Sequence, residues 1–166
     1  MQEEKLTDQW ETPPGFFNLL DKEFEFDLDV CASLDNYKHF QFIRREENAL
    51  TKSWTTVTPT LKDIPATVWC NPPYSNPLPW VEKAISEVQA GTAKKVVMLL
   101  PNASSTAWSD LCFRYAKEVR LLRPRIKFIA PPGWEGGKDS NRGDSMLAIF
   151  YKAMLRRPKI HHWNWK

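Results

Sequence analysis

TVWCNPPYSNPLPWVEKAISEVQAGTAKKVVMLL, residues 67–100, decides the fold. TVWC is a β-branched and aromatic run that ends abruptly at Asn71, the pattern of a buried strand leaving a sheet. Val81, Ala84, Ile85 and Val88 then recur at helical spacing, and Gly91 stands where a helix should stop. KVVMLL is continuously apolar, as expected of a parallel strand covered on both faces.

The same alternation continues outward. Thr12-Pro13-Pro14 reads as a helix start, a hydroxyl cap followed by proline in the first turn, with Phe17, Leu20 and Phe24 on one stripe behind it. FEFDLDV, 24–30, alternates with period two and predicts a strand, and a short second strand is expected at His39–Ile43. Residues 54–67 carry Pro59 and Pro65 without a period and read as a loop. Beyond residue 100, Trp108, Leu111, Cys112 and Tyr115 predict a helix, and EVRLL, IKFIA and MLAIFY predict later strands. The expectation is one α/β domain over 1–166, an open Rossmann-like sheet with helices on both faces and a basic tail from about 152. Ligands of such sheets bind beyond the carboxyl ends of the strands, so Cys31-Ala32-Ser33 and Asn71-Pro72-Pro73-Tyr74 should face one cleft.

With 166 residues, 42% hydrophobic and 26% charged, the chain can bury a core and is not of disordered composition. Three scattered cysteines predict reduced thiols in a cytoplasmic protein. The acidic N-terminus does not read as a signal peptide, and VVMLL is far too short to span a membrane. His39, His161 and His162 show no metal-ligand spacing, and no metal is expected. Residues 1–35 hold ten acids and two bases, so the rest of the chain carries +11, a balance that suits a polyanionic partner.

The motif carries the chemistry. Pro72-Pro73 makes a stiff segment whose carbonyls need not enter a ladder, and Asn71 adds an uncharged acceptor. Two rigid acceptors can grip both hydrogens of an exocyclic NH₂, while Tyr74 offers a flat face to the ring that bears it. Bonds aimed out of conjugation push that nitrogen toward tetrahedral geometry and stabilise the positive charge that develops as it attacks an electrophilic carbon, such as a sulfonium methyl.

The string resembles the [DNS]-PP-[YFW] motif of amino-group methyltransferases. WETPPGFFNLL, FDLDVCAS, NAL…W at 48–54, WCNPPYSNPLPWVEKA, VVMLLP, RIKF and GDSMLAIF together resemble, in order, the phage and prophage Dam-like N6-adenine DNA methyltransferase family. The resemblance implies a class I methyltransferase sheet, S-adenosylmethionine as cofactor and a bacterial host cytoplasm. It also implies that Asn71 and the Pro72 carbonyl hold the target amino group, that Pro73 fixes the loop and that Tyr74 stacks on the flipped adenine. Thr12 and Pro13 match an element at the amino-acid end of the cofactor. Asp29 with Ala32 stands at the first cofactor loop, Asp35 toward the ribose hydroxyls, and Asn48 with Ala49 near the cofactor's adenine. The sequence departs from the general pattern in having no glycine in DVCASLDN and Asn48 where an acid is common. Asp29 can alternatively serve only to hydrogen-bond a nearby backbone amide.

A duplex base must be flipped before it can react, which requires phosphate contacts. GWEGGKDSNRGD, 133–144, holds four of the six glycines and reads as a mobile loop bearing Lys138 and Arg142, with Arg123, Arg125 and Lys127 just before it. These five bases are the expected DNA contacts. Rival readings are a methyltransferase acting on RNA adenine or a protein glutamine amide, and a catalytically inactive nucleic-acid-binding protein.

Overall fold

The computed structural model describes residues 6–55, 64–136, 143–152 and 158–166. Among these, seven strands form one sheet: β1 (Leu28–Ala32), β2 (Phe42–Arg44), β3 (Ala66–Cys70), β4 (Ala93–Pro101), β5 (Glu118–Arg123), β6 (Ser145–Tyr151) and β7 (Lys159–Asn164). Helices α1 (Pro14–Phe24), α2 (Leu78–Ala90) and α3 (Ala107–Tyr115) complete the fold. The sheet order is β2-β1-β3-β4-β6-β5-β7. β6 runs antiparallel to both its neighbours, whereas the other pairs are parallel.

Period two sorts the strand side chains into two cores. Val68, Cys70, Val96, Met98 and Leu100 point to the face covered by α2 and α3, where they meet Val81, Ala84, Val88, Trp108 and Cys112. Trp69, Val97 and Leu99 point to the face covered by α1, where Phe16, Phe17, Leu20 and Phe24 pack. Both faces of KVVMLL are therefore buried, as its unbroken apolarity implies. α2 ends on Gly91 in the left-handed region, φ 80°, with its N–H capping the last turn.

Four expectations are corrected. α1 continues through Phe24 and ends on Glu25 at φ 53°, so FEFDLDV yields a strand only from Leu28. The second strand lies at Phe42–Arg44 rather than His39–Ile43. IKFIA forms no strand: Ile129 makes a single antiparallel bridge with Glu11. Part of the basic tail is instead the edge strand β7, parallel to β5, and its Trp163, with Trp165 just beyond, packs on the α1 core. No helix among the described residues is long and apolar enough to cross a membrane.

Candidate active site

β1 and β3 are adjacent and parallel, so the loops after Ala32 and Cys70 emerge side by side. Between them opens a cleft of ≈ 690 Å³ including its open mouth. Val30, Cys31, Ala32 and Asn36 form one wall. Arg44, Arg45, Asn48 and Ala49 form a second, and Asp8, Trp10, Asn71, Pro73 and Trp80 close it. Of the residues expected from the sequence, Ala32, Asn48, Ala49, Asn71 and Pro73 thus share one cleft.

Asp29 lies beneath this wall rather than in it. Its carboxylate accepts the backbone N–H groups of Cys31 at 3.1 Å and Lys38 at 3.0 Å, shaping the loop from below. Burial raises its pKa to about 6, against those two N–H bonds and the Lys38 charge, which act to lower it. Asp35 is exposed, and its N–H meets the Ser33 hydroxyl at 3.3 Å. Its neighbour Asn36 takes the wall position, with its Oδ1 accepting from the Ser33 N–H and hydroxyl at 2.9 and 3.1 Å. Asn48 adopts φ 52° at the end of a short 3₁₀ turn, a conformation asparagine tolerates well. The Ala49 carbonyl accepts the indole N–H of the fully buried Trp54 at 2.9 Å.

The Asn71 amide has two unlike ends. Its Nδ2 donates to the Thr12 hydroxyl at 3.2 Å, whereas its Oδ1 is buried and has no hydrogen-bond partner. Thr12 is buried and is not the helix cap that the sequence suggested; Pro13 occupies that position and no side chain caps α1. The Pro73 carbonyl accepts the Asn76 N–H at 3.3 Å, closing the turn. Tyr74 does not line this cleft, and its ring meets Phe128 edge-on at 5.9 Å. Its hydroxyl is buried beside that of Ser145, but neither group completes a hydrogen bond, and burial pushes the phenol well above its ordinary pKa.

Residues 8–12 link several parts of this region. Asp8 holds Ser75, and Trp10 walls the cleft while packing edge-on against Trp134 at 5.3 Å. Glu11 exchanges two backbone bonds with Ile129, each 2.9 Å, and pairs with the Lys38 ammonium. Asp8, Trp10, Val30, Asn36, Arg44, Arg45 and Trp80 are the wall residues that sequence reasoning missed. Only Asn36 left a local signal, since an asparagine three residues after a serine suits a side-chain-closed turn.

Arg123, Arg125 and Lys127 are exposed; Arg125 and Lys127 alternate with buried Ile126 and half-buried Phe128, whereas exposed Pro124 stands at a bend between Arg123 and Arg125. The burial alternation puts Arg125 and Lys127 on the outer side of a segment whose Phe128 meets Tyr74. Arg125 is paired at the surface with Asp144, 2.6 Å. Lys138 and Arg142 lie outside the described residues. Among the described residues no group of three or more His, Cys, Asp or Glu side chains is placed to hold a metal ion.

The family model for "DNA N-6-adenine-methyltransferase (Dam)" matches residues 1–162. The chain belongs to the Dam family. A DNA N-6-adenine-methyltransferase of Haemophilus phage HP1 is 42% identical over 146 residues, covering 86% of this chain and 78% of the relative. A second, from Escherichia phage T1, is 33% identical over 115 residues, covering 69% of this chain and 44% of that longer relative. A solved structure described as a predicted O-methyltransferase from Agrobacterium tumefaciens aligns over 75% of this chain and 52% of its own, at 17% identity and TM-score 0.39. Membership of the Dam family agrees with the enzyme class expected from the sequence, an adenine-specific DNA methyltransferase. Its α/β sheet, with helices on both faces, is the architecture expected.

Proposed function

We propose that this Dam-family chain transfers a methyl group from S-adenosylmethionine to the N6 amino group of a DNA adenine flipped into the Asn71–Tyr74 loop. The observation that carries the reading is the buried Asn71 Oδ1, an acceptor with no partner on an amide whose other end is held. A buried acceptor left unmet costs roughly 1–3 kcal/mol, so the site favours a ligand that brings a donor. An exocyclic amine brings two.

The cleft fits the cofactor. Ala32 and Ala49 present little side-chain bulk, Asn36 and Asn48 offer polar groups, and Trp10 offers an aromatic face; these residues would hold it. S-adenosylmethionine, when bound, supplies an electrophilic sulfonium methyl.

The chain's own part is electrostatic and geometric. Asn71 Oδ1 and the Pro72 carbonyl accept the two amino hydrogens and stabilise the charge that grows on nitrogen. Among the described residues no hydrogen bond is made to the Pro72 carbonyl. No general base is needed while the new bond forms. The Tyr74 ring supplies a stacking surface, its hydroxyl kept neutral, and Arg123, Arg125 and Lys127 meet the phosphates.

The test is transfer of labelled methyl from S-adenosylmethionine to unmethylated DNA, with nucleoside digestion and mass spectrometry, alongside Asn71→Ala. Label in N6-methyladenine that the substitution abolishes is expected. Label only in RNA or in a protein amide would overturn the substrate, and absence of both transfer and cofactor binding would favour an inactive binder.

A further inference from the structure

From the Thr12–Asn71 contact we infer that Thr12 is a positioning residue for the proposed methyl transfer, holding the Asn71 carboxamide with its oxygen toward the substrate amine. The inference rests on the proposed role of Asn71. An asparagine amide turns about a soft, nearly two-fold torsion, and its two ends differ little in shape. Only one of its two orientations offers an acceptor to an incoming NH₂; the other opposes donor to donor.

In the productive orientation Nδ2 faces away from the substrate and needs an acceptor of its own in a buried place. Thr12 Oγ1 is that acceptor, at 3.2 Å, on a residue with only 1% of its surface exposed. Without it, the productive orientation would bury an amide hydrogen with no partner, and the amide would spend time turned elsewhere.

The hydroxyl is well fixed for this purpose. On one side Glu11 is bonded through both backbone groups to Ile129, and on the other the Pro13 carbonyl accepts the Phe16 and Phe17 N–H groups at 3.1 Å. With Pro13 at the cap position, the Thr12 side chain is not consumed by the helix. A hydrogen bond made in advance by a rigid neighbour lowers the reorganisation needed during reaction.

The experiment compares Thr12→Val, Thr12→Ser and Asn71→Ala in single turnover with cofactor and DNA saturating. Separate titrations give the affinities for S-adenosylmethionine and DNA, and hydrogen exchange of the Asn71 side-chain amide is followed in ¹⁵N-asparagine-labelled protein. Thr12→Val is expected to lower the single-turnover rate about tenfold, the scale of one positioned hydrogen bond, with both affinities within about twofold. Thr12→Ser should restore most of the rate, and exchange at the Asn71 amide should be faster in the valine variant alone. A wild-type rate in Thr12→Val beside an inactive Asn71→Ala would overturn the role of Thr12 and leave that of Asn71 standing. A weaker cofactor affinity with an unchanged saturated rate would make Thr12 a cofactor contact instead. A wild-type rate in Asn71→Ala would overturn the underlying reading. If the valine variant does not fold, Thr12→Ala takes its place, judged by the same rate and exchange.

Discussion

Both carboxylate oxygens of Asp8 are taken by Ser75, its N–H donating at 3.0 Å and its hydroxyl at 2.6 Å, across 67 positions of sequence. The turn that follows Pro73 is thereby tied from outside, as Thr12 ties Asn71 from within. Asp8→Ala removes both acceptors at a partly exposed site. The expected result is a loss of about 1 kcal/mol of stability by denaturant titration and faster exchange of the Ser75 amide hydrogen. Asp8→Asn keeps one acceptor and should lose less; equal losses would argue against the bond geometry.

Asp29 gives a pH signature of known sign. Its folded pKa of about 6 lies above the ordinary 3.8, so between these values the native state holds a proton that the unfolded chain has released. Its contribution to stability is fully present below about pH 4 and is lost as pH rises through about 6, by roughly 3 kcal/mol in total. Asp29→Asn, which forfeits one backbone acceptor at every pH, lacks this dependence. The free-energy difference between wild type and variant should therefore shift against the wild type from pH 4 to 7 and be flat above. A difference constant with pH would mean that Asp29 titrates normally.

The thiols report on the cleft without any turnover. Cys70 and Cys112 have no exposed surface, and burial pushes the Cys112 thiol up to about 12, whereas half-buried Cys31 lines the cleft with its sulfur 3.5 Å from that of Cys70. Iodoacetamide at pH 8 is expected to modify Cys31 first and Cys112 only on unfolding. S-adenosylhomocysteine should slow the labelling of Cys31, and an unaltered rate would place the cofactor elsewhere.

The role of the exposed bases Arg123, Arg125 and Lys127 is tested by salt. Removing one cation that meets a phosphate should reduce the slope of log affinity against log salt by about 1. Neutralising Arg123 and Lys127 together should weaken DNA binding across sequences alike. Arg125, already paired with Asp144, should contribute less than either. A slope unchanged in the double variant would remove Arg123 and Lys127 from the interface.

Where the sequence was readable, local rules agreed with global packing. KVVMLL and TVWC announced buried parallel strands because both of their faces really are covered, and Gly91 announced a helix end because it adopts the left-handed conformation expected there. The end of α1 was hidden, since Glu25 adopts a positive φ without being glycine. β7 was hidden by composition: KIHHWN lacks an apolar stripe, as suits an edge strand, and its occupation of the outer edge of β5 leaves IKFIA outside the sheet, with Ile129 bridged to Glu11. At the site, Asn71 could be read from its own motif. Its bond to Thr12 could not, because an interaction across 59 residues has no local signature. Asn36 rather than the expected Asp35 lines the cleft because its side chain closes the Ser33 turn, a matter of local geometry rather than residue type.

The α1 core has a consequence for the order in which the protein is made. Phe16, on the first long helix, packs against Trp163 and Trp165, at ring separations of 6.3 and 5.0 Å. During synthesis that aromatic ring must wait until residue 165 has left the ribosome before its covering arrives. A nascent chain stalled before residue 159 lacks β7 and both tryptophans, and presents an open patch around Phe16 to whatever chaperone stands at the tunnel exit.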